Sequence, residues 1–128
     1  MENYIDLGEK RVKIVCNALL PRLYRFHFGR DLIADMRNMA KAYKRTGTNE
    51  DGTPIYDIDD SADFSAAENL AYIMLKQGGE DVGDTIEEWL AGISITDLYA
   101  IEQACFELWK ASERQTSTAK KKGVKQRG

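Results

Sequence analysis

Oxygen-bearing side chains between Asp57 and Glu68 have the spacing of a calcium-binding loop. Positions 1, 3, 5 and 12 of an EF-hand loop, where Ca²⁺ takes oxygen ligands, are filled by Asp57, Asp59, Ser61 and Glu68. Position 6, where the loop turns sharply and calls for glycine, is Ala62, and the glycine and proline ahead of the loop do not suit an entering helix. Acidic residues are also favoured at a helix N-terminus. We therefore predict no metal site and keep calcium binding as an alternative.

No set of residues has the pattern of a catalytic site. The single histidine, His27, lies between Phe26 and Phe28, a setting that favours packing over proton transfer. The glycines of the chain are not followed by the Lys-Ser/Thr pair of a phosphate-binding loop. Cys16 and Cys105 are far apart and form no CxxC motif, which argues against structural zinc and against a disulfide framework. We predict that the protein is not an enzyme and uses no cofactor.

The net charge of −3 conceals three segments of different sign. Residues 1–45 contain ten Lys/Arg and five Asp/Glu, residues 46–113 contain two and sixteen, and residues 114–128 contain six and none. Such segregation matters for association, because long-range fields orient partners. Two explanations stay open, neutralisation within one molecule and attraction of a partner.

The composition fits one small globular domain. The chain has 128 residues, of which 43% are hydrophobic and 30% charged, whereas a domain commonly has roughly 100–200 residues. No apolar run approaches the ~18–20 residues of a membrane span, and the first residues lack the layout of a signal peptide. We predict a single domain over residues 1–113, a disordered basic tail over residues 114–128, and a cytoplasmic location without membrane contact.

The first elements are predicted from periodicity. Apolar and charged residues alternate over residues 4–16, with a glycine-containing turn between the two runs, which predicts a short β-hairpin. A helix follows from Asn17 to the break at Gly29. Its predicted apolar face, which packs on the core, consists of Leu19, Leu20, Leu23, Tyr24 and Phe28. Asp31 begins a second helix with Asp35 facing outward. Its predicted buried stripe consists of Leu32, Met36, Met39, Ala40 and Tyr43.

The second half of the chain completes a mainly α-helical fold of about five helices. Residues 46–61 are predicted to be a polar connection. The third helix covers residues 62–77, and Thr85 caps a short fourth one. Thr96 is predicted to cap a fifth helix over residues 97–113. The residues predicted to be buried in the third helix are Ala67, Leu70, Ala71 and Met74.

The fourth and fifth helices carry more apolar and aromatic residues than one buried stripe requires. Exposed apolar surface framed by charge is typical of a partner-binding site. The predicted contact residues are Trp89, Leu90, Ile93, Tyr99, Phe106 and Trp109, for which burial in an ordinary core is the alternative. The charged residues predicted to mediate association, including assembly into a homo-oligomer, are Arg22, Arg25, Arg30, Glu87 and Glu88.

Several segments resemble a known family in the family's order. The segment Leu20–Met36, LPRLYRFHFGRDLIADM, resembles the PRxYRxxFGRDxxxDM segment of tail assembly chaperones from long-tailed phages and prophages of Gram-positive bacteria. ENLAYIM at Glu68–Met74 is similar to the ENxAYxM segment of that family, and EEWL at Glu87–Leu90 matches as well. Leu108 and Trp109 before a lysine-rich end also fit the family.

The resemblance implies a non-catalytic function in tail morphogenesis. Such chaperones bind the aggregation-prone tape measure protein in the host cytoplasm and keep it soluble and extended while subunits of the tail-tube protein assemble around it. They are absent from the mature virion. The resemblance also implies a longer form made by ribosomal frameshifting, and Lys120–Lys122 would suit a slippery codon run.

Nucleic-acid binding is the alternative function. The six basic residues of the segment 114–128 could neutralise phosphates. The strongly acidic segment before it would repel a polyanion at close range. We therefore do not expect nucleic acid as a partner, and we keep a small phage nucleic-acid-associated protein with a basic tail as the alternative.

Overall fold

The computed structural model describes the backbone of residues 1–58 and 65–127, and their side chains except at 43–45, 56, 58 and 114–127. Within these parts the chain forms four strands and five helices. In chain order they are β1 (Glu2–Leu7), β2 (Lys10–Val15), α1 (Leu20–Phe28), α2 (Leu32–Ala42), β3 (Tyr43–Thr48), β4 (Pro54–Ile58), α3 (Ser65–Gln77), α4 (Ile86–Ala91) and α5 (Ile95–Arg127). The predicted mainly helical fold with an N-terminal hairpin is confirmed.

The N-terminal hairpin covers one side of the helices. β1 and β2 are antiparallel with Ile5 opposite Val12, and Gly8 turns the chain in the left-handed region at φ 79°. Alternation along the strands directs Ile5, Val12 and Ile14 into the core, whereas Tyr4 stays exposed on the other face. β2 packs against α3 and β1 against α5. This support explains the stability of a pair of strands that is marginal alone.

Helix α3 is the centre of the core. It packs against β2, α5, α1 and α2, and nine of its thirteen residues are buried. The four residues predicted to be buried are among them, Ala67, Leu70, Ala71 and Met74. A helix that neighbours surround on several sides is apolar around most of its circumference, and α3 fits that description.

Helices α1 and α2 meet at a sharp turn. Gly29 takes the left-handed conformation at φ 64°, and its N–H donates to the carbonyl of Arg25 at 2.8 Å. The Asp31 carboxylate then accepts hydrogen bonds from the amides of Ile33 and Ala34, so it caps α2 as the sequence predicted. Leu32, Met36 and Met39 are buried as expected.

The end of α2 and the segment after it differ from the prediction. Ala40 is exposed, and Tyr43 begins strand β3 instead of continuing the helical stripe. A second antiparallel hairpin, β3–β4, spans Tyr43–Ile58 and so takes up most of the predicted polar connection; its turn includes Gly52 at φ 89°. β-branched and aromatic residues stand on both sides of an Asp-Gly turn, and both features favour a hairpin. The two strands therefore form although the segment is polar. Residues 59–61 of the predicted connection lie outside the described parts.

Helices α4 and α5 begin at hydroxyl caps. The Thr85 hydroxyl accepts from the Glu88 amide at 3.2 Å, as the sequence predicted. The cap of α5 is Ser94, which accepts from the Asp97 amide at 3.1 Å, and the predicted cap Thr96 lies inside the helix. The assigned helix α5 ends at Arg127, beyond the end predicted at residue 113. Extending an existing helix requires no new nucleus.

Candidate partner-binding site

His27 has the surroundings of a packing residue. Its ring contacts the rings of Phe26 and Tyr72 with centroids 5.4 and 6.0 Å apart. Partial burial and the nearby ammonium of Lys76 lower the pKa of His27 below its usual value of 6.5. The imidazole is therefore mostly neutral at pH 7 and serves as an aromatic edge between α1 and α3.

The calcium-like segment is only partly described. Asp57 lies near the end of β4 with an exposed side chain, and Glu68 lies in the first turn of α3. Asp59, Ser61 and Ala62 lie outside the described residues. Among the residues that the structure describes, no group of three or more His, Cys, Asp or Glu is placed to hold a metal ion.

Both cysteines are buried as free thiols. Burial raises the pKa of the Cys105 thiol and of the Cys16 thiol above the usual value of 9.0. Thiolate is the reactive form of cysteine, so these two side chains are unreactive core residues at neutral pH.

A buried carboxylate that the sequence had placed on the surface joins α1 to α2. The side chain of Asp35 is only 6% exposed. Its Oδ2 accepts from the Tyr24 hydroxyl at 2.6 Å, and Arg30 donates to both carboxylate oxygens at 2.8 and 2.7 Å. Burial and the Asp35 carboxylate raise the pKa of Tyr24, and the side chain of Asn69 on α3 opposes this rise. These hydrogen bonds compensate the buried negative charge of Asp35, a residue that helical periodicity had predicted to face solvent.

The fold accounts for most residues of the segments that resemble the phage family. Tyr24, Gly29, Arg30 and Asp35 form the turn and clamp between α1 and α2, as described above. In the second segment, the Tyr72 hydroxyl donates to the carbonyl of Gly83 at 3.0 Å. These residues hold the framework together.

Two basic residues of the first segment are left without such a role. Arg22 and Arg25 are exposed on α1, and the ion pairs among the described residues do not include them. Arg30, predicted to mediate association, is engaged by Asp35. On α4 the predicted residue Glu88 is likewise engaged, because its carboxylate accepts from the Asp84 amide at 3.2 Å, while Glu87 is exposed.

The predicted contact residues divide between the core edge and the surface. Tyr99 is 66% exposed. The other five are partly buried, namely Trp89, Leu90, Ile93, Phe106 and Trp109. Trp89 packs against Tyr72 with ring centroids 6.2 Å apart. These five partly buried residues therefore lie between the core and the exposed surface of α4 and α5.

Helical spacing joins three of the apolar residues of α5 into one stripe. Ile95, Tyr99 and Phe106 lie four and seven residues apart, on the same face of the helix. Ile95 is 69% exposed, and the sequence prediction did not include it. We call Ile95, Tyr99 and Phe106 the α5 face. The spacing of Ile95 from Tyr99 was the signal that would have found it.

A second exposed apolar group lies on α1. Phe26 is 81% exposed and Leu19, seven residues before it, is 47% exposed, although the sequence had placed Leu19 on the buried side. Leu20 and Tyr24 face the core from the opposite side of α1 and are fully buried. We call Leu19, Arg22, Arg25 and Phe26 the α1 face. It combines apolar and basic side chains, and the sequence prediction had assigned it only the charges.

The comparisons with known proteins supply no family. No protein-family model, no curated protein and no solved structure matches the chain. In the described part of the chain, no helix is both long and apolar enough to cross a membrane.

Proposed function

We propose that the protein is a tail assembly chaperone of a long-tailed phage or prophage. In this proposal it acts in the cytoplasm of the host bacterium, binds the tape measure protein and keeps it soluble while the tail-tube protein assembles, and it is absent from the mature virion. It works without catalysis, as a homo-oligomer and alongside a frameshifted longer form. The identity of the client follows from the three resembling segments in Leu20–Leu90.

The structural observation that carries the proposal is the α5 face. Ile95 and Tyr99 are large apolar side chains exposed on a helix whose opposite side is anchored in the core by Ile101 and Cys105. Burial of an exposed aromatic or aliphatic side chain stabilises a complex by about 25 cal/mol per Å² of apolar area. A rigid helix that presents such groups can cover an apolar stripe of a client helix.

The strength of binding is expected to come from the number of contacts. One face with two exposed anchors provides a weak contact, and many copies along a long client gain from multivalency. Weak individual contacts also allow displacement when tail-tube subunits arrive. This behaviour fits a chaperone better than a permanent subunit.

Co-expression with the tape measure protein encoded nearby tests the proposal. The soluble fraction of the client is measured with the wild-type chain and with Tyr99→Asp, which places a charge in the α5 face. The matched control is Ala100→Asp, because Ala100 is exposed on the same helix and lies about 100° around it from Tyr99, outside that face. We expect wild type and the control to keep the client soluble and Tyr99→Asp to lose most of that effect. A client that stays insoluble with the wild-type chain would contradict the proposal.

The nucleic-acid alternative rests on a different part of α5. The six basic residues of the segment 114–128 could neutralise phosphates. Fluorescence anisotropy with a labelled duplex and with single-stranded RNA distinguishes the two functions. Binding that weakens steeply with salt and is lost when Lys120, Lys121 and Lys122 are changed to Gln would favour the alternative.

A further inference from the structure

Helix α1 turns its basic side chains away from the core. It packs against α3 through its inner side, on which Leu20 and Tyr24 are fully buried. An α-helix turns about 100° per residue, so Arg22 points away from the direction of Leu20 and Tyr24. Arg25 lies about 60° to one side of Arg22, and both arginines are exposed.

Helix α2 repeats this arrangement. Leu32 and Met39 are buried on the side that packs against α3, and the exposed residues Arg37 and Lys41 lie on the opposite side. The acidic residue of α2, Asp35, is buried, and α1 contains no acidic residue. In these two helices, all of whose side chains are described, the outer sides therefore carry four cations and no carboxylate. We call Arg22, Arg25, Arg37 and Lys41, together with Phe26, the basic surface.

No ion pair neutralises the basic surface within the described part of the chain. The ion pairs there are Asp6–Arg11, Glu2–Lys13 and Asp35–Arg30. The turn between the two helices contains one exposed carboxylate, that of Asp31, which accepts hydrogen bonds from the amides of Ile33 and Ala34. The excess of positive charge therefore remains open to a polyanion.

Acidic residues of α4 and of the loop before it approach α1 from its inner side. Burial raises the pKa of Tyr72 on α3, and three nearby carboxylates add to this rise, those of Asp84, Glu88 and Glu87. The Tyr72 ring meets α1 at the rings of His27 and Phe28, about 100° and 200° around the helix from Phe26. Exposed charges are screened beyond a Debye length of about 8–10 Å. Repulsion of a polyanion, which the sequence predicted from the acidic segment, is therefore weaker on the outer side of α1 than on its inner side.

Phe26 places a flat ring among these cations. It is 81% exposed, more than any other large hydrophobic residue in the described part of the chain. Phe26 follows Arg25 directly and lies one helical turn after Arg22, a spacing that brings the Cβ atoms within about 5–6 Å. Proteins that bind single-stranded nucleic acid combine cations for the phosphates with aromatic rings on which the bases stack. The basic surface has both components.

Other anionic partners fit the basic surface less well. A helix that lies on a membrane buries a broad apolar face, whereas most large apolar side chains of α1 and α2 pack on the core. An acidic peptide provides carboxylates for the arginines but no flat group that recurs with each charge. Each nucleotide provides one phosphate and one base, which matches an exposed ring flanked by cations.

We propose that the basic surface binds single-stranded nucleic acid, with a base stacked on Phe26 and phosphates against the cations of α1 and α2. Contacts to phosphates and to the face of a base do not read sequence, so the binding is expected to be unspecific. This site is separate from the α5 face, and it uses none of the basic residues of the segment 114–128. The inference therefore does not depend on the proposed function.

Fluorescence anisotropy with a labelled oligothymidylate of about 20 nucleotides tests the site. Arg22→Gln with Arg25→Gln removes two cations, and Phe26→Leu removes the ring but keeps an apolar side chain. Lys10→Gln with Lys110→Gln is the matched control, because both lysines are exposed outside the basic surface. All five positions are exposed, so the fold is expected to persist, and circular dichroism checks it.

Titration between about 50 and 300 mM salt separates the two kinds of contact. Each phosphate contact to a single strand contributes about −0.7 to the slope of log affinity against log salt. The double arginine variant is therefore expected to bind roughly tenfold more weakly at low salt, with a slope smaller in magnitude by about 1.4. Phe26→Leu is expected to bind at least about fivefold more weakly with an unchanged slope, because stacking releases no counterion. All forms keep the segment 114–128, so its contribution is common to them, and the control is expected to match wild type.

Three results of the titration would overturn the inference. They are a wild type that does not bind, a double arginine variant that binds as tightly as the control, and a Phe26→Leu variant that binds as tightly as wild type. Competition examines the other polyanions. Polyglutamate that displaces the label as well as unlabelled oligothymidylate does would assign the surface to acidic peptides, and a DNA duplex that competes better than the single strand would exclude stacking on Phe26. Either result would also overturn the inference.

Co-expression with the tape measure protein separates this site from the proposed function. The double arginine variant is expected to keep the client as soluble as wild type does, because its α5 face is intact. If no form of the chain solubilises the client but the titration pattern holds, the chaperone function fails and the nucleic-acid site stands. If wild type solubilises the client but does not bind oligothymidylate, the site fails and the proposed function stands.

Discussion

The guanidinium of Arg30 holds the carboxylate of Asp35 with two hydrogen bonds, from Nε to Oδ2 at 2.8 Å and from Nη2 to Oδ1 at 2.7 Å. Arg30 lies in the turn between α1 and α2, and Asp35 lies in the first turn of α2. This bidentate pair therefore ties the turn to the start of the second helix. The Tyr24 hydroxyl completes the site from inside the core. The planar guanidinium of arginine donates two parallel hydrogen bonds to a carboxylate and so fixes its orientation. A lysine at position 30 has no such pair of donors.

Removal of the Asp35 carboxylate is expected to destabilise the fold. In Asp35→Ala the Tyr24 hydroxyl loses its acceptor and Arg30 its anion, which costs about 2–3 kcal/mol of the free energy of unfolding. Urea denaturation measures the loss. The control is Asp6→Ala, whose ion pair with Arg11 is exposed and long at 3.5 Å, and a change below about 0.5 kcal/mol is expected there. Equal effects at the two positions would contradict the proposed role of the clamp.

Acid is expected to weaken the same clamp. The hydrogen bonds from Arg30, with a smaller contribution from Tyr24, hold the pKa of Asp35 below its usual 3.8. A carboxyl whose pKa is lowered by folding stabilises the native state above its unfolded value, and this stability is lost as the pH falls below about 3.8 toward the folded pKa. Asp35→Asn is therefore expected to flatten the pH dependence of the free energy of unfolding in that window. An unchanged slope between about pH 4 and pH 2 would argue against the assignment.

Glu102 is expected to have the opposite effect on the pH dependence of stability. Burial between helices, together with the negative charge of Glu68, raises its pKa from 4.5 to about 7. The folded state therefore binds the proton more tightly than the unfolded chain, and stability falls as the pH rises from 4.5 through about 7. Glu102→Gln is expected to gain about 1–2 kcal/mol at pH 8 relative to wild type, an amount reduced for the partial solvent exposure of the group. Urea unfolding at pH 5 and at pH 8 measures the difference, and a variant without any gain at pH 8 would contradict it.

Two adjacent glycines are expected to differ in their tolerance of alanine. A Cβ at Gly78 would collide with the carbonyl group of Lys13, since the end of α3 touches the outer edge of β2. At Gly79 no atom lies near, and only the left-handed φ of 85° is unfavourable. Gly78→Ala is expected to cost about 3 kcal/mol or more because backbone must move, and Gly79→Ala about 1 kcal/mol. Thermal unfolding of both variants provides the comparison, and the reverse order would refute the close contact.

The start of α5 can be located by substitution. Ser94 accepts the Asp97 amide, whereas Thr96 lies within the helix. Ser94→Ala is expected to cost about 1 kcal/mol of stability and Thr96→Ala less than about 0.5 kcal/mol. Urea denaturation measures both. A larger loss of stability in Thr96→Ala than in Ser94→Ala would indicate that Thr96 is the cap, as the sequence predicted.

Much of the fold follows from local pattern. The alternation of residues 4–16, the stripe of Leu32, Met36 and Met39, and the Thr85 cap were all readable because each depends on neighbours within a few positions. Tyr99 was also recognised as lying off the buried stripe of α5, and it is exposed. These features need no knowledge of how distant segments meet.

Other features depended on distant partners. Asp35 was assigned to solvent by helical spacing, yet a tyrosine eleven residues before it and an arginine five residues before it surround it. Leu19 was assigned to the core and is exposed, because α3 covers the side of α1 that holds Leu20 and Tyr24. The β3–β4 hairpin was missed because the polarity of its turn outweighed the strand pattern beside it.

The sequence by itself determined a small, mainly helical chain with an N-terminal hairpin and segregated charge, because periodicity, caps and net charge are local properties of the order of residues. Only the tertiary structure decided which side chains are left on the surface. Exposure depends on what packs against each helix. The exposed positions of Phe26 on α1 and of Ile95 and Tyr99 on α5 therefore became visible only once α3 and the hairpin had taken the other sides of these helices.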